Sequence, residues 1–350
     1  MSTPAEHLLR QMVDIASPSG EEARIAAFLA RTLPQWGFET HLDEVGNVIA
    51  RRGDPDAPMI MLLGHMDTVP SLLPVRQEGT ILHGRGTVDA KGPLATMIVA
   101  AAAADLPGVQ IVVAGVVEEE TYGRGATHLS KTFRPDAALV GEPNGWAGVG
   151  IGYKGRVMLR YTVSRPSVHT ASPEQKASEA AVDFWNTITG YFDEIATGEK
   201  VFDRPVATLI EMNATIEQAS AVISCRIPPG FDLPAFERLV EVAAGDGILK
   251  IDDRTPAVRV DHRSVVVRSL CTAIRGHGQR PTLKLKTGTA DLNIVEPRWQ
   301  VPAAVYGPGD SGLDHTDHEH IDLLEYAQAI EVLREALERL AAELTGSAPS

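Results

Sequence analysis

Acidic and histidine side chains follow the apolar runs of this 350-residue chain at five places. They are His65 with Asp67, Asp89, the run Glu118 to Glu120, Glu142 and His315. Continuous β-branched and aliphatic runs are typical of buried strands, and open α/β sheets place their chemistry at the carboxyl ends of strands. Two histidines with three or four carboxylates are too many acids for one tetrahedral zinc. The pattern favours a pair of metal ions bridged by a carboxylate.

The segment GHMDTVP places His65 and Asp67 two residues apart. On an extended backbone their side chains share a face. Asp67 could therefore hydrogen-bond a metal-binding His65, as carboxylates that do not touch the metal themselves commonly do. An ordinary loop histidine beside a turn aspartate is the alternative. In GRGTVDAKG, glycines allow close backbone approach around Asp89. Asp89 could bridge two metals, cap the helix expected over PLATMIVAA, or do both.

The adjacent carboxylates of Glu118, Glu119 and Glu120 repel one another unless cations are present. One could bind a metal while a neighbour serves as general base, and a solvated acidic turn is the alternative. Proline after Glu142 restricts that residue to extended geometry. The late segment GPGDSGLDHTDHEH offers three histidines, and chemistry alone does not choose among them: His315, His318 and His320.

The elements that must position these groups alternate between strand and helix up to residue 153, which predicts a sheet with helices on both faces. After it the order becomes strand, helix, two strands and helix, typical of a small α+β domain inserted into the first. Within it, RVMLRYTVS is predicted to be an exposed edge strand. The fold class is therefore α/β, with a central, mostly parallel sheet and an inserted α+β domain.

Composition excludes several functions. The net charge of −14 argues against nucleic-acid binding, and no apolar run reaches the length of a membrane span. Cys225 and Cys271 do not make a disulfide framework. The N-terminal segment has no secretory signal pattern, so a cytoplasmic location is expected.

The motifs, in this order, resemble a known family. SPSGEE, GHMDTVP, GRGTVDAKG, the EEET run, GEP and the late histidine are similar to those of the dinuclear zinc amidohydrolases and exopeptidases. That family includes carboxypeptidase G, acetylornithine deacetylase and succinyl-diaminopimelate desuccinylase. The resemblance implies a zinc-exopeptidase-like catalytic domain over 1–153 and 264–350. It implies an inserted lid and dimerisation domain over 154–263, and a homodimer.

The resemblance also implies residue roles around two Zn²⁺ ions, with Co²⁺ as a substitute. His65 would bind one ion and His315 the other, and Asp89 would bridge them. Glu120 and Glu142 would complete the ligands, Glu119 would be the general base and Asp67 the partner of His65. Hydrolysis of a linear amide by metal-activated water follows from this arrangement.

Substrate contacts are implied mainly for the inserted domain. His169 matches a lid histidine that reaches a neighbouring subunit's site and stabilises the oxyanion. Arg226 matches an arginine associated with the substrate carboxylate. The segment KTGTADLN matches a substrate loop and supplies Lys286, Gly288 and Thr289. Many relatives carry a GGTD-like version there, and this departure bears on the substrate contacts.

A narrower resemblance concerns the substrate. VGEPNGWAGVGIGYKGR, LKTGTADLN and YGPGDSGLDHT look like segments of the hydrolases of carrier-protein-bound lysine biosynthesis. Those enzymes release lysine or ornithine from the C-terminal glutamate of the acidic carrier LysW. An acidic carrier would need a local basic rim, for which the candidates are Lys154, Arg156, Lys284 and Lys286. The alternatives are a deacylase of small N-acyl amino acids and a non-catalytic metal-binding scaffold.

Overall fold

The computed structural model describes residues 3–196 and 200–346, which form two compact units. Described residues of Met1–Ile151, Val260–Lys284 and Ala290–Ser350 make up the first unit. The second unit comprises those of Gly152–Arg259 and Leu285–Thr289. Each unit has its own sheet and its own buried side chains.

The helices in chain order are α1 (Pro4–Asp14), α2 (Ala23–Thr32), α3 (Lys91–Ala103), α4 (Arg124–Thr132), α5 (Ala177–Ile195), α6 (Leu233–Ala244), α7 (Val265–Gly276), α8 (Leu292–Trp299) and α9 (Leu323–Thr345). The strands are β1 (Glu39–Leu42), β2 (Val48–Arg52), β3 (Met59–His65), β4 (Arg76–Glu78), β5 (Ile81–His83), β6 (Gln110–Val116), β7 (Ala137–Gly141), β8 (Gly148–Tyr153), β9 (Gly155–Ser164), β10 (Val206–Ala214), β11 (Gln218–Ile227), β12 (Ile248–Thr255), β13 (Val258–Arg259), β14 (Thr282–Lys286), β15 (Ala303–Tyr306) and β16 (His320–Asp322). None of the helices within the described residues is both long and apolar enough to cross a membrane.

The main sheet of the first unit has the strand order β1-β2-β6-β3-β7-β15-β8. Its centre is parallel, because β3 pairs with β6 and β7, and β15 pairs with β7. The strands β1, β2 and β8 pair antiparallel to their neighbours, so the sheet as a whole is mixed. The predicted α/β class with an inserted α+β part is confirmed, with the parallel strands confined to the centre of the sheet.

Strand register brings the ends of the central strands to one edge. Gly64 of β3 lies opposite Gly115 of β6 and Gly141 of β7. The polar residues that follow these strands therefore start at the same level of the sheet, at the carboxyl ends where α/β folds place chemistry.

Helix α3 lies almost entirely in the interior, with Lys91 to Ala101 all buried. Its run of small and aliphatic residues explains this position, because a helix that is apolar on every side is stable only when it is covered on every side. At Gly64, an added Cβ would lie 3.3 Å from Cβ of Leu94 in α3. The helix that begins just after Asp89 is thus closely packed on the sheet.

The second unit is a four-stranded antiparallel sheet in the order β10-β11-β9-β12, and α5 and α6 pack with it around one core. Tyr161 of β9 stacks on Phe184 of α5 with ring centroids 4.3 Å apart. The element order β9, α5, β10, β11, α6 is the one expected from the sequence. The prediction that RVMLRYTVS is an exposed edge strand is wrong: β9 lies inside the sheet, paired with β11 on one side and β12 on the other.

Candidate metal centre

His65 is the last residue of β3, and its side chain is 1% exposed. Nε2 lies 3.1 Å from Oδ1 of Asp89. Nδ1 lies 2.9 Å from the main-chain oxygen of Asp67 and 3.4 Å from its carboxylate. A contact on Nδ1 fixes the orientation of the ring and leaves Nε2 as the atom that faces the other acids.

The carboxylate of Asp89 lies between two histidines. Its Oδ1 atom faces His65, and its Oδ2 atom is 3.0 Å from Nε2 of His315. The same nitrogen of His315 is 3.0 Å from each carboxylate oxygen of Glu120. A carboxylate that presents a different oxygen to each of two imidazoles has the geometry of a bridging ligand.

Two groups of potential metal ligands share this carboxylate. The inner group is His65, Asp89 and Glu142, and the outer group is Asp89, Glu120 and His315. Within each group the candidate ligand atoms lie within 4.8 Å of one another. Neutral imidazole nitrogens and carboxylate oxygens are donors that suit zinc, and zinc binds both at about 2.0–2.2 Å. The residues therefore fit a pair of divalent ions.

The electrostatics of the site also favour cations. Burial opposes a charged imidazole, but hydrogen bonds to Asp67 and Asp89 outweigh it and raise the pKa of His65 well above its usual range. Hydrogen bonds to Asp89 and Glu120 raise the pKa of His315 to about 10. Burial raises the pKa of Glu119 well above its usual range, and the negative charges of Glu142, Asp291 and Glu120 add to this against the opposing effect of His65. Several carboxylates that lie this close together in a buried site repel one another, and nearby cations would stabilise their charged forms.

The three adjacent glutamates have different surroundings. Glu118 adopts a left-handed backbone with φ of 61°, and its Oε1 accepts a 2.9 Å hydrogen bond from Nε of Arg124. Glu120 faces His315. Glu119 has no hydrogen bond to its carboxylate among the described residues, although its backbone N–H is bound by Asp67. The part-buried Glu119 is therefore the member of the run whose carboxylate is not already engaged.

Asp67 fixes the turn that carries these glutamates. Its Oδ1 accepts from the backbone N of Glu119 at 3.1 Å, and its Oδ2 accepts from the backbone N of Glu120 at 3.1 Å. Oδ2 also accepts a 2.7 Å hydrogen bond from the hydroxyl of Ser19. Burial opposes ionisation, but hydrogen bonding and charge from His65, with the bond from Ser19, lower the pKa of Asp67.

Several residues that support the site were not predicted from the sequence. Ser19 is one, and Glu22 is another, since its Oε1 accepts from the backbone N of Glu118 at 3.0 Å. Asp291 is buried, and burial with the charge of Asp67 raises its pKa to about 7 against the opposing effect of His65. The SPSGEE segment was a usable signal for the first two, because it is one of the motifs of the resemblance and contains both residues.

The glycine-rich turn before α3 confirms the expected close approach of backbone. A Cβ on Gly92 would lie 2.2 Å from the main-chain oxygen of Thr87. The N-cap residue of α3 is Ala90, without a side-chain cap hydrogen bond. Asp89 is thus not the helix cap, and its carboxylate is directed to the two histidines instead.

His318 and His320 belong to neither ligand group among the residues that the structure describes. His320 lies in β16, where its register partner is His83. His315, by contrast, adopts a left-handed backbone with φ of 61°. The folded structure thus distinguishes His315 from the other two histidines as the candidate ligand, which the spacing in the sequence could not do.

The predicted substrate residues lie in the second unit, and their roles stay predictions. His169 is exposed, and its Nδ1 accepts from the backbone N of Ala171 at 3.1 Å. Nη1 of Arg226 donates to Oγ1 of Thr289 at 3.3 Å. The main-chain oxygen of Lys286, which neighbours Gly288 in the same loop, accepts from the backbone N of Lys154 at 3.1 Å.

The prediction that Lys154 belongs to an exposed basic rim is wrong. Lys154 is 0% exposed, and its Nζ donates to the main-chain oxygen of Arg204 at 2.5 Å. Arg156 is paired with Asp253, at 2.5 Å between Nε and Oδ2. Lys284 and Lys286 are half-buried. Lys154 was a candidate because it flanks a substrate segment, but its ammonium group is turned to the main chain of Arg204 and not to the surface.

A family model decides how this site is classified. The model described as Peptidase family M20/M25/M40 matches residues 61–339, the span that holds both ligand groups. The chain belongs to peptidase family M20/M25/M40. It is accordingly a metallohydrolase, and the M20 assignment agrees with the resemblance drawn from the motifs.

Curated M20 relatives match the chain along most of its length. The LysW-lysine hydrolase of Deinococcus radiodurans is 42% identical over 352 residues, covering 96% of this chain and 97% of the relative. The putative LysW-lysine/LysW-ornithine hydrolase of Thermococcus kodakarensis is 42% identical over 336 residues, covering 95% and 91%. The LysW-lysine/LysW-ornithine hydrolase of Saccharolobus islandicus strain L.S.2.15 is 29% identical and covers 96% of each chain.

Solved structures show the same M20 fold at lower identity. The metallo-carboxypeptidase Sso-CP2 of Sulfolobus solfataricus superposes with a TM-score of 0.80 at 16% identity, covering 97% of this chain and 99% of that one. Aminopeptidase PepT of Bacillus cereus gives a TM-score of 0.79 at 17% identity, covering 96% and 98%. At these identities the likeness concerns the fold.

Proposed function

We propose that this metallohydrolase cleaves the amide between the C-terminal γ-glutamyl group of the carrier protein LysW and the α-amino group of lysine or ornithine. The observation that carries the catalytic part is the Asp89 carboxylate, which faces His65 with one oxygen and His315 with the other. Support for the substrate comes from the names of relatives about 42% identical over nearly the whole chain. The release of lysine or ornithine places the enzyme in lysine or arginine biosynthesis.

The metal centre in this proposal consists of two Zn²⁺ ions, for which Co²⁺ can substitute. The inner group, His65, Asp89 and Glu142, would hold one ion, and the outer group, Asp89, Glu120 and His315, the other. Bound there, the ions supply Lewis acidity and make water acidic enough to react near neutral pH. The buried carboxylates of both groups balance the charge of the ions.

Glu119 is proposed as the general base. Its carboxylate accepts the proton of the attacking water and then transfers it to the nitrogen of the leaving amino acid, so the group returns to its initial state. Asp67 contributes indirectly, since it holds the backbone of Glu119 and Glu120 and orients His65. Holding these two backbones and orienting His65 both require a rigid turn, and the buried position of Asp67 agrees with this.

The second unit is proposed to supply the substrate contacts. In this proposal residues 154–263 form the lid and dimerisation domain, and 1–153 with 264–350 form the catalytic domain. His169 would donate a hydrogen bond to the oxyanion in the site of the partner subunit of a homodimer. Arg226 would bind the carboxylate of the released amino acid, with Lys286, Gly288 and Thr289 lining the same loop region.

A small-molecule deacylase is the rival function, and two observations favour it. The net charge of −14 and the burial of Lys154 reduce the basic surface that an acidic carrier could contact. The chemistry would be unchanged, with acetylornithine or succinyl-diaminopimelate as substrate. We propose a cytoplasmic location in either case, which agrees with two buried free cysteines, Cys225 and Cys271.

The deciding experiment offers the zinc-loaded enzyme four substrates: LysW-lysine, LysW-ornithine, acetylornithine and succinyl-diaminopimelate. Mass spectrometry of the carrier and of the released amino acid measures kcat/KM for each, and the Glu119→Gln variant controls for contaminating hydrolases. The proposal expects the two carrier substrates to be turned over with higher kcat/KM. Faster turnover of a small N-acyl substrate would overturn the carrier assignment and leave the deacylase.

A further inference from the structure

A buried ion pair lies beside the turn that carries Asp89. Nη1 of Arg85 is 2.7 Å from Oε2 of Glu319, and the two side chains are 5% and 0% exposed. The partners are 234 positions apart in the sequence. An isolated buried pair is weak evidence for stability, because desolvation offsets much of the attraction between the charges. Its remaining hydrogen bonds therefore indicate what the pair does.

Glu319 holds the backbone of the shared metal ligand. Its Oε1 accepts from the backbone N of Val88 at 2.9 Å and from the backbone N of Asp89 at 3.1 Å. Both N–H groups lie in the turn before α3. Because the acceptor is a charged carboxylate, each bond is stronger than one between neutral groups. Glu319 thus fixes the position from which the Asp89 side chain extends.

Arg85 joins this turn to two loops. Its Nε donates to the main-chain oxygen of Ser71 at 2.9 Å, and its Nη2 donates to the hydroxyl of Ser71 at 2.6 Å. Nη2 also donates to the main-chain oxygen of Thr316 at 3.0 Å. Thr316 follows His315, whose side chain is 50% exposed. The guanidinium therefore ties the loop of His315 to the turn of Asp89.

The two ligand groups differ in how they are held. In the inner group, His65 ends β3 and Glu142 follows β7, so hydrogen-bonded neighbouring strands fix their spacing. In the outer group, the pairing of β16 with β5 brings the segments of His315 and Asp89 together but ends before it reaches either ligand, so both lie on irregular backbone. Beyond that pairing and the backbone bond from Gly84 N to the main-chain oxygen of Glu319, the side chains of Arg85 and Glu319 join the two segments.

We propose that Arg85 and Glu319 are positioning residues that set the spacing of the outer group, and thereby its metal affinity. The inner group shares Asp89 but depends on them less, because its other two ligands are held by β3 and β7. This inference rests on the proposed dinuclear centre but not on the carrier substrate. Residues that orient metal ligands without touching the metal commonly contribute about 10–100-fold to metal affinity. A purely structural ion pair would change folding stability and leave the ratio of the two affinities unaltered.

The test uses the full chain with Glu319→Ala, Glu319→Gln and Arg85→Lys. Metal-free protein is titrated with Co²⁺ and followed by visible absorption and calorimetry, which resolve the two binding steps. We expect Glu319→Ala to weaken one step by about 10–100-fold and to change the other by less than about threefold. Arg85→Lys keeps the charge but cannot reach Ser71 and Thr316 together, so it should weaken the same step by a smaller factor.

Glu325→Ala is the matched control. Its Oε1 accepts from the backbone N of Trp146 at 3.0 Å and of Gly309 at 3.1 Å, so its carboxylate, like that of Glu319, holds two backbone N–H groups. It contacts neither Asp89 nor His315 in the described residues, and both Co²⁺ steps should stay at their wild-type values. Circular dichroism of the metal-free proteins checks folding. If Glu319→Ala does not fold, Glu319→Gln decides: its neutral oxygen can still accept from the turn, but more weakly and without the charge that holds Arg85, so the same step should weaken by a smaller factor.

Two results would overturn the positioning role: folded variants in which both steps keep their wild-type affinities, and variants in which both steps weaken equally. A single binding step in the wild-type protein would instead refute the dinuclear centre, and the positioning role with it. None of these three results depends on whether the enzyme accepts LysW-lysine, so failure of the carrier assignment can be distinguished from failure of the positioning role.

Discussion

Glu119→Gln tests the assignment of the general base most directly. The substitution removes the proton acceptor and preserves the size of the side chain. It leaves the backbone N–H of Glu119 free to bind Asp67 as before. The ligand groups are also untouched, because Glu119 belongs to neither of them. The variant is therefore expected to bind two equivalents of metal.

The expected loss of kcat is about 10²–10⁴-fold, the usual contribution of a general base. At about 1.36 kcal/mol per tenfold change in rate, this corresponds to about 2.7–5.4 kcal/mol of activation free energy. The structure favours the upper part of this range. Glu118 is paired with Arg124 and Glu120 faces His315, so neither neighbour has a carboxylate available to replace the lost base.

The assay is steady-state hydrolysis of LysW-lysine at saturating substrate, with metal content measured by inductively coupled plasma mass spectrometry. Glu118→Gln is the matched control, because it makes the same chemical change one residue earlier, at a side chain paired with Arg124. The control should keep kcat within about threefold of wild type, as expected for a part-exposed ion pair. A Glu119→Gln variant with near-normal kcat, or one that has lost metal, would refute the assignment.

The remaining predictions concern the ligands, the turn and the lid. His315→Ala should lower the metal content measured by elemental analysis, whereas His318→Ala should not; metal loss in the second variant alone would contradict the ligand assignment. Asp67→Ala should lower the free energy of unfolding of the metal-free protein, measured in urea, by about 3–6 kcal/mol. Two backbone N–H groups each lose a charged acceptor that contributes about 1.5–3 kcal/mol. A change below about 1 kcal/mol would show that the turn does not need the Asp67 carboxylate. His169→Ala should lower kcat by about 10²–10³-fold without loss of metal, the usual effect of one lost oxyanion donor. Mixing it with Glu119→Gln should restore activity through mixed dimers, and subunit exchange without recovery would argue against a role in trans.

Much of the metal centre could be predicted because its residues follow buried strands. The apolar runs that end at His65 and before Glu142 are strong local signals, and parallel strands bring their carboxyl ends to one edge. The choice of His315 over two nearby histidines needed the resemblance, since all three lie in the same polar segment. Only the folded loop shows which imidazole faces Asp89.

The supporting residues could not be predicted in the same way. Arg85 and Glu319 interact across 234 positions, and neither differs from a surface charge in its local sequence. Lys154 shows the converse: it was predicted to belong to a basic rim because it flanks a substrate segment, but it is buried and donates to a main-chain oxygen. The position of β9 within its sheet was also missed, because an alternating strand has the same pattern whether one or two neighbours pair with it.

The unequal exposure of the two histidines has a kinetic consequence. The His65 side chain is 1% exposed, whereas that of His315 is 50% exposed. Water and chelators reach the outer group readily, and the inner group is closed to them on the His65 side. An ion in the inner group should therefore exchange with the surrounding solution more slowly than its neighbour. Enzyme kept in trace chelator would then pass through a long-lived one-metal form, and its measured activity would depend on its storage history as well as on its sequence.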